Sequence, residues 1–428
     1  MKTPHRKPVL WIGLAFTLPL FMGATFFGAL RLYAQDVVSS VAPSELRVCP
    51  SGCPFSSIQT AIDAAAKGDV VKVAAGVYSD MHVRAGASVG TASVDATAAV
   101  TQVVYLTKTV TLRGGYDATF AEPPNLAAHP TVLDAGQMGR GLYIGGAAAP
   151  TVEGLRIING AADEGGGVYV YASNPVIRAC EVFSNSAGKG GGLYLSSSNA
   201  VLEANVVRNN HASESAGGLY MIFGAPALDR NQVIDNQSDG RAGGVQVLLS
   251  AVRFTNTVVA GNVAAGSGSG IYLTTNDAVH LLHTTIARNG GSGGQGLYLL
   301  SGAAYLTNTI VASNLVGIYA ASGAQVQMAA TLWGSGAWAN GDNTKGLGSF
   351  SLGAINVNGD PAFVAPAAGN YHIGPLSAAI DQGVAAGVDH DLDNESRPAG
   401  AAPDLGADEN SDTVVLNQMI YLPAVLAP

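Results

Sequence analysis

The sequence is poor in charged residues, and its charge is on balance negative. Only 12% of the 428 residues are Asp, Glu, Lys or Arg, and the formal net charge is -9. Nucleic-acid backbones are bound mainly by Lys and Arg, so this composition argues against a nucleic-acid partner. Apolar residues make up 48% of the chain. That content is enough for a large buried core.

Cysteine is also scarce, with three residues in the whole chain. Cys49 and Cys53 stand four positions apart, with Pro50 and Gly52 between them to permit a tight turn. We expect this pair to form a disulfide in an oxidising compartment, because a zinc site would need two further ligands and none lies nearby in sequence. Cys180 falls within the repeat described below, at a position that we expect to be buried and unreactive.

The N-terminus has the pattern of an export signal. A basic stretch from Lys2 to Lys7 precedes an apolar run from Val9 to Leu30. We predict that residues 1–34 are a signal peptide cleaved after Ala34, which implies an extracellular or cell-surface protein. The run is also long enough to span a bilayer, so an uncleaved membrane anchor is the alternative.

A three-residue phrase recurs through the middle of the chain. It consists of Gly, an apolar residue and, in all but one copy, Tyr, and successive glycines are 25 or 26 residues apart except for a last interval of 21. A fixed period of this length is typical of solenoid proteins in which each repeat is one coil. The glycines are Gly141, Gly167, Gly192, Gly218, Gly244, Gly270, Gly296 and Gly317.

Asparagine follows the same period in two further series. Stacked coils place equivalent residues above one another at about 4.8 Å, so their amides can hydrogen-bond along the stack. We therefore expect two ladders of polar side chains at the corners of the coil. The first series is Asn159, Asn185, Asn209, Asn236, Asn262, Asn289 and Asn314, and the second is Cys180, Asn205, Asn231, Asn256, Thr284 and Asn308.

These patterns predict an all-β fold, a single-stranded parallel β-helix over residues 55–350. The length corresponds to about ten or eleven coils at one coil per period. Ser56 and Gln59 have the spacing of a capping box, and apolar residues at helical spacing follow as far as Ala65. We expect this short helix to cover the first coil, because an open stack exposes its core and its strand edges.

The segment Ile58 to Tyr78, IQTAIDAAAKGDVVKVAAGVY, resembles the opening of the pectate-lyase-like β-helix. This resemblance implies a right-handed coil. Several C-terminal motifs resemble the closing module of bacterial surface β-helix proteins called choice-of-anchor Q, which implies a cell-surface or extracellular location but no defined reaction. These motifs are Gly359–Phe363, Asn370–Ile373, Leu376–Gly383, Asp391–Asp393, Arg397–Pro398 and Asp404–Glu409.

We accordingly divide the remainder of the chain around the β-helix. Residues 35–54 are expected to be a linker that carries the cysteine pair. Residues 351–410 form the predicted closing module. Residues 411–428 form a C-terminal tail, which is too short to span a bilayer.

One charged column is the candidate catalytic site. Aligning the strands places Glu153, Arg178, Glu203 and Asp229 at one outward position on successive coils. The fold resemblance implies that charged residues on adjacent coils can bind uronate, hold calcium or transfer protons, so Glu203, Asp229 and Arg178 are the candidate catalytic residues. The alternative is alternating surface charge that pairs across strands. The alignment favours that alternative, because the column is expected to turn apolar at Phe254, Leu282 and Leu306.

A C-terminal acidic stretch is the candidate metal site. Oxygen ligands at alternating positions suit calcium, although the spacing is not that of an EF-hand. The alternative is a solvated turn closed by Arg397. The proposed calcium ligands are Asp389, Asp391, Asp393 and Glu395. His280 and His283 are three apart on one predicted strand and should point to opposite faces, which argues against a shared metal.

The tyrosines of the repeated phrase leave two interpretations open. If they face inward they belong to the core, and if they face outward they form an aromatic groove for sugars. We predict that the protein is an exported, monomeric and non-catalytic scaffold that binds or displays glycans or other cell-envelope partners. The alternative is a lyase or hydrolase acting on an acidic polysaccharide. No cofactor other than calcium is expected.

Overall fold

The computed structural model describes residues 42–85 and 99–411. The predicted leader, residues 1–34, and the tail beyond Ser411 lie outside the described residues. Within the described ranges, no helix is long and apolar enough to cross a membrane.

From Glu45 to Gly359 the chain forms a parallel β-helix with three long faces. Twelve strands stack on one face, so the β-helix has about twelve coils, slightly more than predicted. Two predicted boundaries need correction. The first strand lies within the segment expected to be a linker, and the last extends beyond residue 350. Backbone pairing continues in the outer coils although the side-chain repeat does not.

The tyrosine face carries the repeated Gly-apolar-Tyr phrase. Each of its strands pairs in parallel with the strand one coil before it. The strands are Ala99–Leu106, Arg140–Ile144, Val168–Tyr171, Leu193–Ser196, Leu219–Gly224, Val245–Ser250, Ile271–Leu282, Gln295–Thr307, Val316–Ala320 and Asp342–Gly346.

The ladder face carries the charged column. As far as Thr255, its strands are separate from those of the tyrosine face. The later strands Ile271–Leu282 and Gln295–Thr307 instead bend from the tyrosine face onto this one. The other strands are Glu45–Val48, Val70–Ala74, Thr111–Tyr116, Thr151–Glu153, Val176–Arg178, Val201–Glu203, Ala227–Asp229, Arg253–Thr255, Gln325–Gly334 and Ser349–Gly359.

The third face completes the coil and is called the module face, because the C-terminal module packs against it. The last two strands of the ladder face continue onto it. Its own strands are Gly76–Tyr78, Thr131–Asp134, Arg156–Ile158, Glu181–Phe183, Val206–Arg208, Gln232–Ile234, Val258–Ala260, Thr285–Ala287 and Thr309–Ala312.

A short fourth ladder lies between the module face and the tyrosine face. Among the described residues, two antiparallel strand pairs stand outside the coil pattern: His82–Ala85 with Ala99–Leu106, and Phe363–Ala365 with Asn370–Ile373. Single turns of 3-10 helix occur at Gly336–Trp338 and Pro366–Ala368. The strands of the fourth ladder are Ala161–Glu164, Ser186–Lys189, His211–Ser215, Gln237–Ser238 and Val263–Ala264.

Successive side chains along each strand point alternately inward and outward, and the inward ones are mainly aliphatic and fill the interior of the β-helix. Val168 and Val170 point inward and are fully buried in the main core, whereas Tyr169 between them belongs to a separate cluster. The glycine of the phrase is required by close packing. A Cβ on Gly192 would lie 2.7 Å from the backbone oxygen of Gly218 and 2.8 Å from Val207.

Stacked amides form a continuous ladder at one corner, as the period predicted. Its members differ from the predicted series in three places, because Asn210 replaces Asn209, Asn159 is not a member and Asn340 is added. Asn185 Nδ2 donates to Asn210 Oδ1 at 3.0 Å, and Asn210 Nδ2 donates to Asn236 Oδ1 at 3.0 Å. The expected members Asn209 and Asn159 instead adopt left-handed backbone conformations, with φ of 52° and 55°. They make the bend just before the ladder position. The ladder comprises Asn185, Asn210, Asn236, Asn262, Asn289, Asn314 and Asn340.

The helix Ile58–Ala64 lies over the first coil and buries Ile58, Ala61 and Ile62 in the main core. The expected capping box is wrong. The N-cap is Ser57, whose side chain makes no capping bond, and Gln59 instead exchanges hydrogen bonds with the backbone of Tyr105. Gln59 thus satisfies part of an exposed strand edge.

The C-terminal module, residues 360–411, does not close the end of the β-helix. It lies along the module face, where Ile234, Val258 and Ile310 project outward and pack against it. Phe363, Tyr371, Ile373, Leu392 and Leu405 supply the other side of this second core. The module therefore covers the side of several coils, and the last coil remains exposed among the described residues.

Candidate functional site

The charged column on the ladder face is longer than expected. The strand register confirms that Glu153, Arg178, Glu203 and Asp229 are consecutive, and it places Arg113 one coil before Glu153. Lys72 and Arg47 precede Arg113 in the same column. The column therefore begins with three cations before the charges alternate.

The expected end of this column is correct at Leu282 but wrong by one residue at Phe254 and Leu306. Phe254 and Leu306 are inward-facing members of the main core. The outward column continues after Asp229 as Thr255, Leu282 and Thr307. The error arises because inward and outward positions differ by a single residue along a strand.

Every carboxylate in the column is held by a cation. Glu153 pairs with both Arg113 and Arg178, and Glu203 pairs with Arg230. Arg230 Nε also lies 3.3 Å from Asp229 Oδ2. Arg230 reaches both acids because it occupies a left-handed corner, with φ of 56°.

Asp229 has a further partner that comes from the C-terminal module. His390 Nε2 lies 2.9 Å from Asp229 Oδ2, and His390 Nδ1 lies 2.9 Å from Asp389. Burial disfavours the imidazolium, but the hydrogen bonds to Asp389 and Asp229 outweigh it and raise the pKa of His390. Glu203, Asp229 and Arg178 thus lie on adjacent coils, but the two acids form ion pairs and do not face each other as a free pair.

The left-handed corner beside this column attaches the module to the β-helix. Asn256 Nδ2 donates to the backbone oxygen of His390 at 3.0 Å. Two coils later, Asn308 exchanges hydrogen bonds with the backbone N–H and C=O of Val384 at 2.8 and 2.7 Å. His283 lies between them in the same column and contacts Arg397, with Nδ1 2.7 Å from the guanidinium. Asn256 and Asn308 were predicted as members of the second polar series, but both lie one residue earlier, at the left-handed corner.

Arg397 forms a buried ion pair with Glu409, and His283 contacts the same guanidinium. The side chains of Arg397 and Glu409 are 0% and 1% exposed and lie 3.0 Å apart. Burial and the neighbouring guanidinium lower the pKa of His283 to about 3, so this imidazole is neutral. Arg397 also donates to the backbone oxygens of Asp404 and Ala407. Arg397 thus links the module's last loop to the β-helix.

The four residues of the predicted calcium site do not converge. The side chain of Asp389 is 97% exposed and contacts His390, whereas Asp391 is fully buried. Both oxygens of Asp391 accept backbone N–H groups, from Asp393, Glu395 and Glu409. Glu395 accepts a hydrogen bond from Ser411. The Asp391 carboxylate therefore organises a turn, as the alternative to a calcium site predicted, but this carboxylate is buried and not solvated.

A different group of metal-ligand residues lies in the module. One ligand atom each from His372, Asp393 and Asp408 lies within 4.8 Å of the others. Burial disfavours the charged imidazole, but the Asp393 hydrogen bond and the neighbouring carboxylates raise the pKa of His372 to about 9. Burial raises the pKa of Asp408 to about 7. The sequence analysis did not single out His372 or Asp408, although both lie in motifs that carry the resemblance to choice-of-anchor Q modules.

The tyrosine column fits neither of its two interpretations. Its rings point away from the main core, yet Tyr143, Tyr169, Tyr194, Tyr220 and Tyr272 are 2 to 7% exposed. Neighbouring rings stack with centroids 4.7 to 5.7 Å apart. Ala216 and Ala242 pack against them from the side of the short fourth ladder. The column forms a third core, outside the main one and separate from the core beneath the module, and its buried rings do not present an open face to a sugar.

An open cleft lies on the fourth ladder. It has a volume of about 460 Å³ and spans three successive coils. Its polar lining consists of Asp163, Ser186, His211, Ser213 and Glu214. Between these side chains the wall is built from alanine and glycine.

Comparison with a family model agrees with this architecture. Residues 131–263 match the family described as the right handed beta helix region. The fold is a right-handed parallel β-helix. The crystal structure of pectate lyase Pel9A is similar to this chain with a TM-score of 0.44 and 15% sequence identity, over 86% of this chain and 98% of that one. No curated protein matches the chain.

Proposed function

We propose that this protein is an exported β-helix that binds glycan in the cleft of the fourth ladder and does not transform it. The observation that carries this proposal is an open, polar cleft that extends across three consecutive coils. Coils repeat at about 4.8 Å, a spacing close to the length of one sugar unit, so equivalent groups can contact successive units.

The lining suits sugar hydroxyls. Carboxylates accept hydrogen bonds, serine hydroxyls donate and accept, and imidazole does either according to its tautomer. Lys189 lies 3.5 Å from Glu214 and Asp239 lies 3.1 Å from His211, so these partners position two of the lining residues. Because Asp163 and Glu214 place negative charge in the cleft, neutral or amino sugars fit better than uronates.

The state of the charged column supports binding without turnover. A proton-transfer pair needs a carboxylate that is free to take up or release a proton at the substrate. Glu203 and Asp229 are instead held together by Arg230, and the module's His390 occupies a further position on Asp229.

Export to the cell surface is part of the same proposal. Cys49 and Cys53 form a disulfide with their Cα atoms 5.6 Å apart, and such bonds persist mainly in oxidising compartments. The leader-like N-terminus and the resemblance of the C-terminal motifs to choice-of-anchor Q modules also support it. N-terminal sequencing of the secreted protein should begin at Gln35, whereas an intact N-terminus in the membrane fraction would indicate an uncleaved anchor.

A glycan array tests the binding site. The chain from residue 35 should be retained on neutral or amino glycans, and Asp163→Ala with Glu214→Ala should weaken binding by about tenfold or more, because charged hydrogen bonds contribute about 1.5–3 kcal/mol each. Asp342→Ala is the matched control, since this exposed carboxylate lies in the last coil. Equal loss in the control would refute the assignment of the cleft.

The lyase or hydrolase alternative is tested on uronate polymers with calcium present. No unsaturated or reducing sugar should be released. If products do form, and if Glu203→Ala and Asp229→Ala abolish them, the protein is an enzyme and the non-catalytic proposal is wrong.

A further inference from the structure

Three separate segments of the C-terminal module bring metal-ligand side chains to one place. His372 lies on the strand Asn370–Ile373, Asp393 on the turn after Asp391, and Asp408 on the final loop. His372 Nε2 is 2.5 Å from Asp393 Oδ2 and 3.9 Å from Asp408 Oδ1. A tetrahedral ion with bonds of about 2.1 Å holds its ligand atoms about 3.4 Å apart. The observed separations bracket that value.

The orientation of His372 is fixed by its other ring nitrogen. Nδ1 lies 2.6 Å from Asn370 Oδ1, and the same oxygen accepts the backbone N–H of His372 at 3.0 Å. The Asn370 atom is therefore the carbonyl oxygen, and Nδ1 donates its proton to it. An ion would displace the proton from Nε2, and the Nε2 lone pair would then face both carboxylates. Histidine ligands of metal ions usually show this arrangement.

Asp408 is the second fixed ligand. Its side chain is 7% exposed, and Oδ2 accepts the backbone N–H of Ile373 at 2.7 Å. Oδ1 points to His372 and accepts no hydrogen bond from the described residues. The buried Asp408 side chain therefore directs an oxygen that accepts no such hydrogen bond towards His372 and the proposed site. Asp393 is 49% exposed and can move by the fraction of an ångström that an ion requires.

We propose that His372, Asp393 and Asp408 bind one divalent transition-metal ion of the Zn²⁺ or Mn²⁺ type, with water completing its coordination. One imidazole nitrogen with two carboxylate oxygens suits these ions better than Ca²⁺, which takes six to eight oxygen ligands. Because the ligands come from three segments, the ion would fasten the module together. The site shares only Asp393 with the acidic stretch predicted to bind calcium.

The experiment is a calorimetric titration of the EDTA-treated, tag-free protein with ZnCl₂, repeated with MnCl₂ and CaCl₂. We expect one Zn²⁺ or Mn²⁺ ion per chain and a rise in the unfolding temperature when it binds. Asp393→Asn should lower the affinity at least tenfold and abolish the rise in unfolding temperature. This variant should fold, because Asp393 is largely exposed.

Asp342→Asn is the matched control. Asp342 also forms an ion pair, with Lys345 at 3.0 Å, and is similarly exposed, at 51%. It should bind the ion as the unaltered protein does. Absence of Zn²⁺ and Mn²⁺ binding, binding equal in Asp393→Asn and the unaltered protein, or binding of Ca²⁺ alone would each overturn the proposal.

Discussion

Single residues at the corners decide how each coil turns. Left-handed backbone conformations recur there in residues other than glycine, including Ala179, Ala204, Arg230 and His283. Such conformations are unfavourable for most side chains, so the surrounding hydrogen bonds must hold them. The amides of the asparagine ladder perform this role at one corner, because each both donates to and accepts from its neighbours.

Asn236→Ala tests that role. Asn236 is 1% exposed, and its amide donates to Val207, Ile234 and Asn262 while accepting from Asn210. The substitution leaves several buried groups unpaired, so the free energy of unfolding should fall by about 2–4 kcal/mol. Asn174→Ala, at an exposed stacked position, should cost less than about 1 kcal/mol in the same thermal and urea unfolding measurements.

Elements pair through columns of side chains, and the ladder face shows how a column is neutralised. Glu203 and Asp229 are neighbours on adjacent strands, where like charges repel. The chain compensates by placing Arg230 at the adjacent corner, against both carboxylates. The two acids therefore stabilise neighbouring coils instead of separating them.

Arg230→Ala should expose this repulsion. We expect a loss of about 1–2 kcal/mol of unfolding free energy, because two partly buried carboxylates lose their shared cation. Adding Glu203→Gln should restore part of the loss by removing one charge. Arg253→Ala, at an exposed position on the same face, should change stability by less than about 0.5 kcal/mol. An identical loss in the double variant would show that Arg230 acts by packing alone.

Across the whole molecule, the C-terminal module is attached by both apolar and polar contacts. Outward aliphatic residues of the module face pack against it, and the corner residues Asn256, His283 and Asn308 bind its backbone or Arg397. Within the module, buried acids are satisfied by backbone N–H groups. Asp404 accepts from Asp381 and Asn410, and Glu409 accepts from Ala399 and Asp404.

This attachment should be sensitive to acid. The pKa of His283 is about 3 in the folded protein and about 6.5 when unfolded, so between these values only the unfolded chain is protonated there. The stabilisation is present above pH 6.5 and is lost as the pH falls towards 3. It should contribute a slope of up to about 1.4 kcal/mol per pH unit to the free energy of unfolding.

Urea unfolding of the unaltered protein and of His283→Gln between pH 7 and 4 measures this slope. Burial raises the pKa of Asp404 to about 6, an effect of opposite sign that is present in both proteins and largely cancels in their difference. The variant should lack about one proton of uptake near pH 5. Parallel curves for the two proteins would contradict a neutral, buried His283.

The sequence by itself determined the coil length, the all-β class and the charged column, because stacking forces every coil to repeat the residues of its neighbour. It did not determine the exact members of each column. Because coil lengths vary slightly, two predictions were wrong by one residue. Asn209 was predicted where Asn210 lies in the ladder, and Phe254 was predicted where Thr255 lies in the charged column. Only the tertiary structure decided where the module lies and which residues meet in it. His283 and Arg397 are 114 positions apart, and no period relates the module to the coils.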